Sequence, residues 1–481
     1  MRSEIDTNKQ QNMRRVAMTS LAGTSIEWYD FFLYGTAAAV IFPKAFFPQD
    51  LPPMVLLIIS FSTFAVGFIA RPLGGVVFGH FGDQVGRKRT LVVALMIMGV
   101  ATTLIGLLPT YQSVGIAAPL GLVFLRFIQG LAIGGQWGGA MLLVTESAPD
   151  HRRGWYGAYA QAGAAVGVIL ANLAFLSVSA SMSDAAFMDW GWRLPFIASV
   201  VLIGISLYVQ LRMEDTEAFK ALQAAQAGSE ARVEVPRSPV LEAIRRYPRR
   251  IMLAAGAFLS VQVTFYILIA FVIAYGLNSP SVDLTRDEML MSVLIAAGVM
   301  VPAVFYFSGL SDRLGRKQVY RWGAILTGAW GFALFPLVDT GSPALITLAV
   351  TMGMVFLSMQ YGPQAAYFTE LFSTEVRYSG ASLGYQIGAI LGGALAPTIA
   401  VLLWNELGIV YVSVYILIAA GLTLWSLSQL EETGGKALYG AVLARGGLPL
   451  TAVTDAVAEP AVSRARGAAG LRGPGSGRLP G

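Results

Sequence analysis

The sequence predicts an all-α membrane protein: twelve transmembrane helices in two six-helix bundles related by a pseudo-twofold axis. Three observations predict it. Only 13% of the 481 residues are charged and 55% are hydrophobic, whereas a soluble domain carries about 25% charged residues. The apolar residues fall in runs of about 20, the length that crosses a bilayer as a helix. Two unlinked motifs recur in the same order in both halves of the chain. This composition excludes a soluble multidomain protein, a fibrous or disordered chain and a disulfide scaffold.

The chain has no cysteine, which removes disulfides, thiolate metal sites and cysteine nucleophiles. His80 and His151 are its two histidines, too few for a His-rich metal or haem site. No metal or organic cofactor is expected. The net charge of +5 is not a nucleic-acid footprint. Its basic residues sit on alternate joints between apolar runs, as the positive-inside rule requires.

The apolar runs cover about 18–42, 55–80, 90–109, 116–145, 154–178 and 193–211. The second set covers about 251–277, 288–309, 320–338, 343–368, 378–403 and 408–429. Joints on one side carry Arg14, Arg15, Arg87, Lys88, Arg89, Arg152, Arg153, Arg313, Arg316, Lys317, Arg321 and Arg377. The other side carries Lys44, Arg193 and Arg286. The Arg-rich side, with both termini, is therefore expected in the cytoplasm of a bacterial cell, the protein crossing the inner membrane many times. Residues 1–17 are polar, and Glu27 and Asp30 in the first run exclude the apolar core of a cleaved signal peptide. Residues 18–211 and 251–430 make the two bundles, and 212–250 is the linker between them. Residues 431–481, rich in Gly, Ala, Pro and Arg, are expected to form a disordered cytoplasmic tail.

The repeat justifies the two halves. Gly82-Asp83-Gln84-Val85-Gly86-Arg87-Lys88 follows the second run, and Ser311-Asp312-Arg313-Leu314-Gly315-Arg316-Lys317 follows the eighth. Thr145-Glu146 followed by Arg153 closes the fourth run, and Thr369-Glu370 followed by Arg377 closes the tenth. Both copies lie on the same side, so the halves are parallel repeats about an axis along the membrane normal. Alternating-access transporters have that arrangement, with the substrate site between the halves.

These motifs resemble the cytoplasmic signatures of the major facilitator superfamily. Further stretches are similar to its metabolite:proton symporter family: Glu27-Trp28-Tyr29-Asp30-Phe31, Arg71-Pro72-Leu73-Gly74-Gly75, Arg126 with Gln129-Gly130, Gly138-Gly139-Ala140, Trp190-Gly191-Trp192-Arg193 and Arg377-Tyr378-Ser379-Gly380-Ala381. The resemblance covers about residues 14 to 430. It implies a twelve-helix transporter that takes up small organic acids, such as shikimate and α-ketoglutarate, or zwitterions, such as proline and betaine. The run Arg71–Arg89 followed by Ala148-Pro149 is most similar to the shikimate-transporter branch.

Charge inside the runs is scarce: Glu27, Asp30, Arg71 and Arg126, with Glu146 and Glu370 near helix ends. A charge at the bilayer centre costs at least about 2.5–3.5 kcal/mol to insert, so such residues need partners and mark function. Glu27, Asp30 and Tyr34 share one face of the first helix. Asp30, Arg71 and Arg126 fall near one depth, so the four charges are expected to share a layer and largely neutralise one another. Either Glu27 or Asp30 is the expected proton-loading carboxyl, because drying its surroundings and moving an Arg both change its proton affinity. Arg126 is the expected anchor for a substrate carboxylate, which its guanidinium fork can bind bidentately. Arg71 belongs to the same charge network, in a structural or a functional role.

Tyr34, Gln136, Gln161, Gln262, Tyr266, Gln360 and Gln364 are the polar candidates for substrate contact; interhelical hydrogen bonding would account for any one of them. The resemblance implies that helices 1, 4, 7 and 10 line the cavity. It also marks Gln136 as a departure, since the family usually has Glu there. It implies latches at the cytoplasmic side as well: Asp83 on the N-terminus of helix 11, Asp312 on that of helix 5, Arg87 with Glu146, and Arg316 with Glu370. Arg153 and Arg377 complete the two motifs. Gly130, Gly134 and Gly138, with Gly384, Gly388 and Gly392, and Gly163 with Gly167, repeat every four residues and so let helix backbones approach.

The expected protein is thus a monomeric transporter in the lipid bilayer. It imports a small organic acid or zwitterion with protons, is not an enzyme, and binds no nucleic acid. A proton-independent facilitator or exporter, a non-transporting sensor and a membrane-embedded enzyme are the alternatives.

Overall fold

A computed structural model describes residues 2–85, 87–134, 141, 144–145, 148–212, 244–372 and 377–434. Among them are twelve long helices: α1 (Arg2–Val40), α2 (Pro53–Val85), α3 (Arg87–Leu107), α4 (Ala117–Gly134), α5 (Arg153–Ala180), α6 (Arg193–Arg212), α7 (Pro248–Asn278), α8 (Arg286–Leu314), α9 (Arg316–Val338), α10 (Pro343–Leu371), α11 and α12 (Val410–Gln429). Helix α11 comprises Arg377–Gly388, a π turn Ala389–Ala394, and Ala396–Glu406. Eight of the twelve are long and apolar enough to cross a membrane by themselves. Helix α1 falls short because Glu27 and Asp30 interrupt its apolar stretch.

Helix α1 starts at Arg2 rather than near residue 18. Its polar first turns contain Glu, Lys, Gln and Arg, which favour a helix without needing to be buried. Helix α8 starts at a capping box, where Thr285 and Glu288 each satisfy a backbone N–H of the other. It ends at Gly315, whose φ of 97° turns the chain straight into α9 and holds Asp312 and Arg316 side by side.

Helix α1 packs on α5, α2 on α4, and α3 on α6. In the second half α7 packs on α11 and α12, and α10 on α8 and α9. The two bundles meet along α5–α8, α5–α10, α2–α11 and α1–α7. The glycine series sit where backbones touch: α2 against α4 (Gly130, Gly134), α5 against α1 (Gly163, Gly167), α7 against α11 (Gly384, Gly388, Gly392). Gly138 lies outside the described residues.

Three π turns, Phe187–Gly191, Ile267–Phe271 and Ala389–Ala394, were not legible in the hydrophobic pattern. Each fits one extra residue into a turn, which the apolar period does not reveal. The turn in α7 starts next to Tyr266, and the turn in α11 brings Gly393 against the Tyr266 ring.

Candidate functional site

The four intramembrane charges lie together, but not as ion pairs. Among the described residues no salt bridge within 4 Å joins Glu27, Asp30, Arg71 or Arg126. The expectation of mutual neutralisation is therefore corrected, and the reason is a box of aromatic rings. The Arg126 Cζ sits 4.3 Å from the Phe31 ring centre, 4.2 Å from Tyr34 and 4.7 Å from Phe64. The Arg71 Cζ sits 4.5 Å from Phe31 and 4.4 Å from Phe68. Phe31 thus faces both guanidiniums. Ring faces are attractive to desolvated cations, so they hold the guanidiniums where a carboxylate would otherwise be needed.

Arg126 is fully buried. Its Nη1 donates to Gln129 Oε1 at 3.0 Å, its Nε reaches Phe64 O at 3.5 Å, and its Nη2 has no partner. Gly67 makes this position possible, since a Cβ there would meet Arg126 Nε at 2.5 Å. Gln129 Nε2 in turn donates to Thr102 Oγ1 at 2.7 Å. Arg71 leaves Nε and Nη2 unpartnered. Glu27 has Arg71 as its charged neighbour. Asp30 instead turns toward Thr102 and Ser199, and neither of its carboxyl oxygens is hydrogen-bonded.

The second bundle completes the box. Tyr266 packs edge-on against Phe64 and Phe68, with both Arg71 and Arg126 as neighbours. Gln262 approaches through Tyr385, which also neighbours Arg71 and Glu27. Tyr385 lies on α11, which the expected 1, 4, 7, 10 lining omits, so sequence reading missed it. Elements α1, α2, α4, α7 and α11 build the cluster.

Of the remaining candidates, Tyr34 belongs to the box and Gln161, Gln360 and Gln364 bond elsewhere. The Tyr34 hydroxyl donates to Thr63 Oγ1 at 2.8 Å, so Tyr34 offers Arg126 its ring only. Gln161 bridges the bundles by donating to Tyr361 O at 2.8 Å. Gln360 donates to Thr327 Oγ1 at 2.8 Å and Gln364 to Tyr320 Oη at 2.6 Å, so both turn into their own bundle against α9. Gln136 and Glu146 lie outside the described residues, and the side chains of Asp83, Arg87 and Arg377 are not among those described.

A charged latch closes the motif-bearing end. Asp312 accepts from Gly154 N and Trp155 N, both at 2.9 Å, which sets its carboxylate on the positive N-terminus of α5. Arg316 Nη1 donates to the same carboxylate at 2.5 Å. Glu370 accepts from Arg153 Nη1 at 3.0 Å and from Arg316 Nη2 at 3.4 Å, so it ties one bundle to the other. Residues of the expected tail join in. Thr433 Oγ1 donates to Glu370 at 2.8 Å, and Glu432 accepts from Arg316 N and Lys317 N at 2.9 and 3.0 Å. Glu432 is ordered here because the free N–H groups that open α9 need an acceptor.

Glu370→Gln leaves two buried guanidiniums without their shared anion. This is expected to cost the closed arrangement about 3 kcal/mol. The chain has no cysteine, so Ala365→Cys, buried where α10 meets α5, serves as a single reporter. Its thiol-labelling rate should rise at least about tenfold in the Glu370→Gln background; an unchanged rate would remove the latch.

A second tie holds the opposite end. Arg286, at the start of α8, donates to Ser179 Oγ at 2.6 Å and Asp184 Oδ1 at 2.8 Å, and stacks 3.9 Å from the Phe187 ring. In sequence Arg286 was only a topology marker, because Ser179 and Asp184, its partners in the other bundle, lie more than 100 positions away.

Two helical bundles with a charged cluster at their seam and ties at both ends make up a membrane transporter fold. The chain belongs to the Major Facilitator Superfamily, whose family model matches residues 31–397. It is 42% identical over 432 residues to an inner membrane metabolite transport protein, YhjE, of Escherichia coli strain K12, covering 88% of this chain and 95% of that protein. It is 38% identical to the shikimate transporter of the same strain, covering 87% and 94%. It is 31% identical to that strain's proline/betaine transporter, covering 91% and 86%. The E. coli xylose transporter XylE, solved in a partially occluded inward-open conformation, matches with TM-score 0.68 at 16% identity, over 89% of this chain and 99% of that one. That likeness shows the fold. The chain is a multi-pass membrane transporter of that superfamily and not an enzyme.

Proposed function

We propose that this transporter imports a small organic acid together with protons, by alternating access. The observation that carries the reading is Arg126. It is fully buried at the seam between bundles, lacks a carboxylate partner and keeps one Nη2 free. Arg71 beside it is also short of partners. A substrate carboxylate supplies the missing anion, and the aromatic box around it accepts an apolar body. Zwitterions such as proline or betaine carry a carboxylate too, so they share the anchor but leave the second guanidinium less well matched.

In this reading Arg126 anchors the carboxylate, while Tyr266, Gln262 and Arg71 line the rest of the site. Glu27 or Asp30 loads the proton. The bundles of residues 18–211 and 251–430 rock about the site, joined by 212–250. The Asp312–Arg316–Glu370–Arg153 latch closes the cytoplasmic side, where both termini lie. The relatives named for shikimate and for proline and betaine support this substrate range.

Proteoliposomes test it. With an acidic exterior, shikimate should accumulate above its equilibrium level, with acidification of the lumen. Uptake indifferent to the pH gradient would sink proton coupling and leave a facilitator or an exporter.

A further inference from the structure

The geometry points to Thr102 and Gln129 as positioning residues that transmit the protonation state of Asp30 to Arg126, and so set how tightly Arg126 takes a substrate carboxylate. The inference rests on the reading of Arg126 as anchor and Asp30 as proton carrier, and adds the path between them.

The path consists of one contact and two hydrogen bonds. The Asp30 carboxyl neighbours Thr102 on α3 and Ser199 on α6 without a hydrogen bond to either. Gln129 donates to Thr102 Oγ1 at 2.7 Å, and Arg126 donates to Gln129 Oε1 at 3.0 Å. Thr102 itself donates to Met98 O at 2.9 Å, a carbonyl already engaged by the helix ladder, so this hydroxyl hydrogen is free to turn elsewhere. Few other charges intrude. Tyr29 neighbours Asp30, but its hydroxyl is spent on Pro195 O. Helices α3, α5 and α6 carry charge only at their ends, and α2 contributes Arg71, the neighbour of Glu27.

The direction follows from hydrogen-bond polarity. An ionised Asp30 draws the Thr102 hydrogen, because an anion is the stronger acceptor. A hydroxyl that donates to an anion accepts more strongly, so Gln129 is polarised and its Oε1 grips Arg126. A protonated Asp30 becomes a donor, competes with Gln129 for the Thr102 oxygen, and releases the grip. Proton loading thus frees Arg126 for the substrate, and the two are carried together.

The second half of the molecule contains the same clamp without the charges. Gln360 donates to Thr327 Oγ1, but its Oε1 has no partner. Leu357 stands three residues before it, where Arg126 stands before Gln129, and α7 carries no acidic residue. The clamp alone joins two helices; the charges at both of its ends make it a relay.

The test uses the full chain in proteoliposomes with radiolabelled shikimate as the probe. Between outside pH of about 5.5 and about 7.5, the KM of the unaltered protein is expected to rise about tenfold, the ratio one charge-assisted hydrogen bond sets. Thr102→Val and Gln129→Leu should flatten that rise to about twofold, and Thr102→Ser should restore it. Thr327→Val, which removes the matching hydroxyl from the second half, should keep the full rise. Variants that keep the full rise, or lose only Vmax, overturn the relay. An unaltered protein whose KM ignores pH, or which takes up no shikimate, overturns the proton-coupled acid reading and the relay with it.

Discussion

Arg126→Lys is expected to lower carboxylate uptake about a hundredfold, a loss of about 3 kcal/mol for a buried charge pair that must bind without its planar fork. Lysine keeps the charge, so a purely electrostatic role would survive the change. The surroundings say it will not. Three rings lie within 4.7 Å of the Arg126 Cζ, Gln129 holds Nη1, and Gly67 leaves room for Nε. An ammonium cannot fill that slot as a flat group, and it cannot keep Gln129 while reaching a substrate. Gly67→Ala tests the same geometry from the other side. Its Cβ would press on Nε at 2.5 Å, and uptake should fall about tenfold with the charge intact. Initial uptake rates in proteoliposomes, at matched amounts of folded protein, decide both. Full uptake by Arg126→Lys would remove Arg126 as the bidentate anchor.

Gly134→Ala is expected to be among the single methyl additions most damaging to folding. A Cβ at Gly134 would lie 1.9 Å from Arg71 O, and one at Gly74 would lie 1.9 Å from Leu131 O. At Gly130 the clash would be with Gly67 O at 2.1 Å. These are backbone atoms, so neither rotamers nor flexible tips can yield. Helices α2 and α4 must separate, at a cost of about 3 kcal/mol. The same separation pulls Arg71 away from Arg126, so uptake falls further than stability explains. Gly298→Ala, where nothing lies within 4 Å, should be nearly neutral. Thermal unfolding in detergent measures both, and a Gly134→Ala melting point equal to that of the parent would mean the helices are not in this register.

Much of the architecture was legible in the residues. Apolar runs separated by Arg-rich joints mark helices because unpaired backbone cannot face lipid. Asp312, Arg316 and Glu370 stood out because their motif recurs. Glu27, Asp30, Arg71 and Arg126 stood out because charge in an apolar run is rare. The less legible features depend on rotation about a helix axis or on partners distant in sequence. Spacing along α10 puts Gln360 and Gln364 on one stripe, but cannot say that the stripe faces α9. Tyr385 looks like an ordinary residue of a glycine-rich helix until the π turn of α11 is seen. Arg286 and Glu432 find partners across long stretches of sequence, and no local pattern encodes those distances.

By itself, then, the sequence determined that the chain crosses a membrane, that its halves repeat, and which few charges lie inside. Those conclusions follow from transfer free energies and periodicity, which act residue by residue along the chain. The tertiary structure decided what the charges face. It put aromatic rings rather than carboxylates against Arg71 and Arg126, gave Asp30 and Glu27 different neighbours, and placed Thr102 and Gln129 between Asp30 and Arg126. Such choices depend on how twelve helices rotate and interlock, and close packing settles them only when every neighbour is present.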